Sequence, residues 1–235
     1  MKKLLCLFAM VCFILGTTGV SFANAKDSSL SEKEKAIVPI ASFMATGDIT
    51  NLKTAVNKGL DSGLTVNETK EIIVHLYAYC GFPRALNGLS AVDEVLEERQ
   101  ANGINDVFGK EATPIPADTD ILKVGTDVQT KVSGAPVDLT ALSPAIDEYL
   151  KTHLFGDLFA RDVLSFTQRE IATISALASM SGTQSQFQAH LNCGLNVGLT
   201  PAQLQDIVNV LSTEVNPQIV TDAQPILDKV LTARK

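Results

Sequence analysis

The sequence predicts an all-α protein, and three kinds of observation support this prediction. Apolar residues recur every three or four positions, as along Ile72, Ile73, Leu76 and Tyr79, which is the spacing of one face of an α-helix. Serine or threonine stands three residues before glutamate or glutamine at several points, as in the capping box that begins a helix. A nine-residue string also recurs with six of its nine residues identical, so we expect the helices to form two similar units.

Four capping boxes give the expected starts of helices. Ser31–Glu34 and Thr65–Glu68 lie in the first half of the chain, and Thr167–Glu170 and Thr200–Gln203 lie in the second. The last of these has Pro201 at the first helical position, where proline is favoured because no backbone N–H is needed. Each half therefore carries the same pair of helix starts.

The repeated string fixes the register between the halves. Residues 57–65 (NKGLDSGLT) match residues 192–200 (NCGLNVGLT) at an offset of 135, and the offset is 136 further upstream. Gly63 and Gly198 are expected to close the preceding helices, since glycine accepts a left-handed backbone at low cost. A duplication that keeps turns and core positions together predicts two tandem copies of one helical unit.

The signals together divide the chain into helices and domains. Helices are predicted near residues 31–46, 49–62, 66–80, 83–101, 143–155, 157–163, 168–181, 184–197, 201–213 and 218–233. The predicted domains are a signal peptide (1–25), a first helical unit (30–102), a connecting segment (103–140) and a second helical unit (141–235). The connecting segment is rich in glycine and proline, and its hydrophobic periodicity is weak, so we expect it to pack across the surface. Residues 124–132 are an undecided candidate for a short strand.

The N-terminus predicts a secretory signal peptide. Two lysines at positions 2–3 precede an uncharged apolar run over 4–15, and residues 23–25 (ANA) form a small-x-small cleavage site. The apolar run is short for a membrane span, which makes an uncleaved anchor the weaker alternative. We therefore expect cleavage after Ala25 and a periplasmic or secreted protein that is not bound to a membrane.

Cleavage would leave 210 residues with a net charge of −9, because the signal contains two of the 19 basic residues and none of the 26 acidic ones. This acidic balance argues against nucleic acid or an anionic membrane as a partner. Of the four cysteines only Cys80 and Cys193 would remain, either as one disulfide or as two buried thiols. No cysteine–histidine group has metal-site spacing along the sequence, so we expect no metal and no other cofactor.

The order of motifs resembles the carboxymuconolactone decarboxylase family, which includes alkylhydroperoxidase D-like proteins. The second half has LFGD at 154–157, REIATI at 169–174, a histidine at 190 and NVGLT at 196–200, and the first half has HLYAYCGFPRA at 75–85. The resemblance covers roughly residues 30–102 and 143–232. It implies a helical unit that assembles into rings, and with two units in each chain we expect a homo-oligomer, a trimer of two-unit chains.

The resemblance and the chemistry of the side chains together suggest one site per chain. His190 and Glu170 are the expected proton-transfer groups, and the family places a functional glutamate on this helix. His75 and Tyr79, which share one side of a helix with Glu71, would complete a polar wall, and Arg84 would hold a substrate carboxylate. Each also has a structural interpretation: Glu170 as a capping residue, His75 as an interior histidine and Arg84 as a surface cation.

The two halves do not carry the same polar residues. His190 aligns with Ala55, and at the same offset of 135 His75 aligns with Val210. The GFPRA string occurs only in the first half. We therefore expect one merged site to which each half donates a part.

A peroxidase function needs a different nucleophile here. The peroxidase branch of the family has cysteines seven and four residues before the histidine, and these positions are Thr183 and Gln186 in this chain. Cys80 is the expected alternative, since the nearby Arg84 would lower the pKa of its thiol. Three functions follow: acid–base decarboxylation or isomerisation of a small carboxylate or lactone, thiol peroxidase activity, and ligand binding without catalysis.

Overall fold

A computed structural model describes residues 29–234, and every regular element in this part of the chain is a helix, which confirms the predicted all-α fold. The helices are α1 (Glu32–Thr46), α2 (Ile49–Asp61), α3 (Val66–Cys80), α4 (Phe82–Ala101), α5 (Ile121–Ser133), α6 (Pro144–Tyr149), α7 (Phe166–Ser179), α8 (Gln184–Val197), α9 (Pro201–Val210) and α10 (Ile219–Ala233). Two π-helical segments, Leu150–Phe159 and Leu211–Val215, continue α6 and α9. The predicted signal peptide lies outside the described residues, and none of the described helices is long and apolar enough to span a membrane.

Helices α1 and α7 pack against each other at the centre of the molecule. Both are buried along most of their length, because their sequences alternate between small and branched apolar residues rather than carrying a charged face. The hydroxyl groups of Ser42 and Ser179 form a hydrogen bond between the two helices. One apolar core therefore includes residues from both halves of the chain.

Three of the four predicted capping boxes are confirmed, and the fourth is wrong. The boxes at Ser31, Thr65 and Thr200 have both hydrogen bonds. In α7, however, Ser165 accepts from the amide of Gln168, and the Gln168 side chain accepts from the amide of Ser165. Helix α7 thus begins earlier than predicted, which places Glu170 inside the helix and leaves it free of any capping role.

The repeated string folds in the same way in both halves. Gly63 and Gly198 have φ values of +94° and +111°, which confirms their left-handed backbone. In each turn a leucine amide donates to the carbonyl of a glycine five residues earlier: Leu64 to Gly59 at 3.0 Å and Leu199 to Gly194 at 2.9 Å. The order α1–α4 and α7–α10 is consistent with two copies of one unit.

The segment between the halves contains a helix, α5, where the sequence left a strand open. α5 packs closely against the π-helical segment Leu150–Phe159 and against α8. Gly125 is the reason, since a Cβ at this position would lie 1.6 Å from the carbonyl oxygen of Lys151. This glycine permits close helix packing, whereas its place in a glycine-rich segment predicts a loop.

The predicted separate helix over 157–163 is wrong, because the helix that starts at Pro144 continues to Phe159.

Candidate functional site

Glu170 and His190 form the centre of the candidate site. Glu170 on α7 is completely buried, and its Oε2 lies 2.8 Å from Nδ1 of His190 on α8. The His190 side chain is 14% exposed, so the imidazole lies between this carboxylate and the edge of the protein. The second carboxylate oxygen, Oε1, has no hydrogen-bond partner among the described residues. A histidine held by a buried carboxylate is an arrangement suited to proton transfer.

Tyr79 of α3 contacts this pair from the first half of the chain. Its ring packs edge-on against His190, with the centroids 5.6 Å apart. Its hydroxyl is buried and has no hydrogen-bond partner among the described residues. Burial, and after it the charge of Glu170, raises the pKa of Tyr79 well above the ordinary value of 10.0. Tyr79 therefore keeps its proton at neutral pH, so it can donate a hydrogen bond or a proton but cannot act as a base.

His75 lies one helical turn before Tyr79 and is also buried. Its Nε2 is 2.8 Å from the Thr173 hydroxyl, and its ring packs edge-on against Phe159. Burial, and to a smaller extent the charges of Arg169 and His190, lowers the pKa of His75 well below 6.5. His75 is thus a neutral polar group at physiological pH, which suits a role in the wall of the site better than a role as proton carrier.

The structure adds Cys193 to the site, whereas the sequence predicted for it a disulfide with Cys80 or a buried thiol. Ligand atoms of Glu170, His190 and Cys193 all lie within 4.8 Å of one another. Burial first and the Glu170 charge second raise the pKa of the Cys193 thiol to about 12. The signal that could have found it is the His190-x-x-Cys193 spacing, because residues three apart share one face of a helix.

Cys80 is placed differently from the expectation. Its thiol lies 4.0 Å from the sulfur of Met180 in the apolar core and is not among the groups around His190. Arg84 does lower the pKa of the Cys80 thiol, but burial has the larger effect and raises the pKa to about 11. The predicted net lowering is therefore wrong. Both described cysteines are free thiols, so the disulfide alternative is not realised.

Arg84 lies across a cavity from the buried groups. This cavity of about 590 Å³ lies next to the site, and Tyr79 belongs to both. Its walls also contain Thr183 and Gln186, the positions at which the peroxidase branch has cysteines. Arg84 itself is exposed, so its guanidinium is available to an anion that enters the cavity.

Glu71 shares one side of α3 with His75 and Tyr79, but its carboxylate binds two arginines. Its carboxylate receives two hydrogen bonds of 2.9 Å from Arg161 and one of 2.8 Å from Arg169. Arg169 is completely buried, and burial lowers the pKa of its guanidinium despite the contact with Glu71. Glu71 therefore belongs to a separate ion-pair network behind the site.

Four of the six predicted site residues thus lie together: His75 and Tyr79 from the first half, and Glu170 and His190 from the second. Arg84 lies at the cavity, and Cys80 lies in the core.

No curated protein matches the chain. Residues 15–94, about a third of the chain, match the carboxymuconolactone decarboxylase family. Over this stretch, which includes most of the predicted first helical unit, the chain is similar to that family.

Proposed function

We propose that the protein is an enzyme that moves a proton on a small carboxylate or lactone, as in a decarboxylation or an isomerisation. The observation that carries this proposal is the 2.8 Å contact between His190 and the buried carboxylate of Glu170. A carboxylate in this position orients the imidazole, so that His190 can accept a proton from a substrate and return it. The similarity of residues 15–94 to the carboxymuconolactone decarboxylase family supports a reaction of this kind.

Tyr79 connects the proton-transfer pair to the substrate cavity. Its side chain lines the cavity and contacts the ring of His190. Arg84 on the same cavity would hold the carboxylate of the substrate, since a guanidinium can donate two parallel hydrogen bonds to it. The substrate would then lie between a fixed positive charge and Tyr79, whose ring contacts the acid–base pair.

Turnover on a panel of lactone carboxylates tests this proposal. His190→Ala is expected to lower kcat by a factor of about 10² to 10⁴, which is the usual contribution of a positioned acid–base group. Arg84→Ala is expected to raise KM more than it lowers kcat. His153→Ala is the matched control, because His153 is half-exposed and pairs with Asp157 away from the cavity. Unchanged turnover in His190→Ala would refute the proposed mechanism.

A second candidate is thiol peroxidase activity, now with Cys193 as the nucleophile. Its thiol lies beside His190 and Glu170, which could accept its proton. The thiolate would attack a peroxide oxygen and release water or an alcohol, and an external dithiol would reduce the resulting sulfenic acid. The raised pKa of Cys193 favours the thiol over the thiolate and places this candidate second. Peroxide consumption that survives Cys193→Ser would eliminate it.

Export and ring assembly remain part of the proposal. Phe82 and Leu86 on α4 expose 64% and 60% of their surface next to Arg84, and such large apolar side chains are suited to contact between subunits. We expect sedimentation to give a trimer, and the N-terminus of exported protein to begin at Lys26. A monomer, or an N-terminus at Met1 in exported protein, would contradict the respective expectation.

A further inference from the structure

We propose that Glu170, His190 and Cys193 form a binding site for a single thiophilic divalent cation such as Zn²⁺ or Co²⁺. One ligand atom from each of the three residues lies within 4.8 Å of the other two. His190 and Cys193 are three residues apart on α8, and Glu170 reaches the same point from α7. Two neighbouring helices therefore present the three groups to one position.

The donor set selects the class of metal. A thiolate, an imidazole and a carboxylate are the three ligand types of zinc sites, and three protein ligands leave a fourth position for water or a substrate atom. Hard cations such as Mg²⁺ and Ca²⁺ prefer oxygen ligands only, so sulfur and nitrogen in the set disfavour them. The same set is compatible with Co²⁺, which serves as a spectroscopic probe for such sites.

An independent observation also points to a ligand. Glu170 is completely buried, yet its Oε1 has no hydrogen-bond partner among the described residues. A buried carboxylate oxygen without a partner is costly, so an occupant that satisfies it gains free energy. The Tyr79 hydroxyl, which is buried beside the Thr173 side chain, could donate to a ligand in the fourth position. The cluster is thus short of a positively charged or proton-donating occupant.

Metal binding would compete with the proton-transfer pair. A cation between Glu170 and His190 would replace the hydrogen bond that joins them at 2.8 Å, and the Cys193 thiol would release its proton to solvent. The metal-bound and metal-free forms therefore offer different chemistry at the same residues. This inference uses residues of the proposed function but stands on the donor set and the unpartnered oxygen, so it does not require that function.

Titration of the chelator-treated full chain with Co²⁺ tests the inference. We expect one Co²⁺ per chain and a thiolate-to-cobalt charge-transfer band in the near ultraviolet. Cys193→Ser should abolish the band, while the matched control Cys80→Ser should keep it. His190→Ala should weaken Zn²⁺ binding, followed by calorimetry, more than about 100-fold, which is the upper range for loss of a group outside the ligand set. The surface control His153→Ala should leave it unchanged.

Several outcomes would overturn the inference. These are the absence of Co²⁺ binding by the wild type, a charge-transfer band that persists in Cys193→Ser, and Zn²⁺ affinity that is equal in His190→Ala and His153→Ala. Should Cys193→Ser fail to fold, Cys193→Ala replaces it in the same titration. Turnover is measured separately in excess chelator. Binding without turnover would refute the proposed function alone, and turnover without binding would refute the metal site alone.

Discussion

Two buried glutamates, Glu71 and Glu170, lie on neighbouring helices and have opposite surroundings. Glu71 is 3% exposed and binds the guanidinium groups of Arg161 and Arg169, so both of its oxygens have partners. Glu170 is completely buried, and within residues 29–234 its one hydrogen-bond partner is His190, while its second oxygen has none. Helix α3, which carries Glu71, packs against α7, which carries Glu170.

The two carboxylates differ in how much hydrogen-bonding capacity their surroundings leave unused. A buried charge is tolerated when opposite charges and hydrogen bonds satisfy it, as at Glu71, and such a network fixes the packing of helices. A carboxylate that keeps an unused oxygen next to a histidine has its remaining capacity available for a proton, a metal or a substrate. Burial alone therefore does not identify the site. Unpartnered atoms alone do not identify it either, because Nε and Nη1 of Arg169 are also buried without partners among the described residues. Glu170 differs from that network because its neighbour is a histidine.

The largest expected effect is loss of stability when Glu71 is changed. Glu71→Gln leaves the buried Arg169 without a full counter-charge, and breaking a buried ion pair on one side costs about 3–5 kcal/mol. The matched control is Glu94→Gln, since Glu94 is 55% exposed and pairs with Lys53 at the surface, where the cost is below about 1 kcal/mol. Urea unfolding measures both. Equal losses would remove the structural distinction of Glu71.

Thiol reactivity gives the next effect in size. The pKa values of about 11 for Cys80 and about 12 for Cys193 leave very little thiolate at pH 8, so each should react with iodoacetamide at least about 100-fold more slowly than an ordinary thiol. The rates should increase about tenfold for each pH unit up to pH 10. Mass spectrometry resolves the two sites, and unfolded protein is the control. Fast labelling of Cys193 at pH 8 would show that the Glu170 side is open to water.

Removal of the charge at Glu170 should cost less than removal at Glu71. Glu170→Gln can keep a hydrogen bond to His190 and leaves no buried guanidinium unpaired, so the expected loss is about 1–2 kcal/mol for an imperfectly satisfied amide. The same urea unfolding series measures it beside Glu71→Gln. A loss as large as that of Glu71→Gln would assign Glu170 a mainly structural role.

The smallest effect is a pH dependence that arises from His75. Burial lowers the pKa of His75 below its ordinary value of 6.5, so below about pH 6.5 the unfolded chain binds a proton that the folded chain does not. Stability must therefore fall as the pH drops below 6.5, by at most about 1.4 kcal/mol per pH unit for one proton. His75→Gln should reduce this slope in melting curves between pH 7 and pH 5, while His153→Gln should not. An unchanged slope in His75→Gln would contradict the burial of a neutral His75.

The sequence located most helices because their signals are local. Ser31, Thr65 and Thr200 cap helices as predicted. In each case the hydroxyl and the side-chain oxygen three residues later bond to backbone amides of the same turn. Helix α5 was missed because Gly125 has a packing role that depends on Lys151, a residue distant in sequence. At the start of α7, Ser165 and Thr167 were both plausible caps, and only the packing of α7 against α1 and α8 selects between them.

The sequence by itself determined the helical class, the repeated unit and the residue types available for chemistry, because periodicity, capping and composition act over a few residues. Only the tertiary structure decided which polar groups meet. Glu71, His75 and Tyr79 all lie on α3, yet the structure gives Glu71 a different set of partners. Cys193 of α8, in contrast, lies next to Glu170 of α7. The physical reason is that the state of a buried polar group depends on all helices packed around it, and that packing involves contacts between residues far apart in the chain.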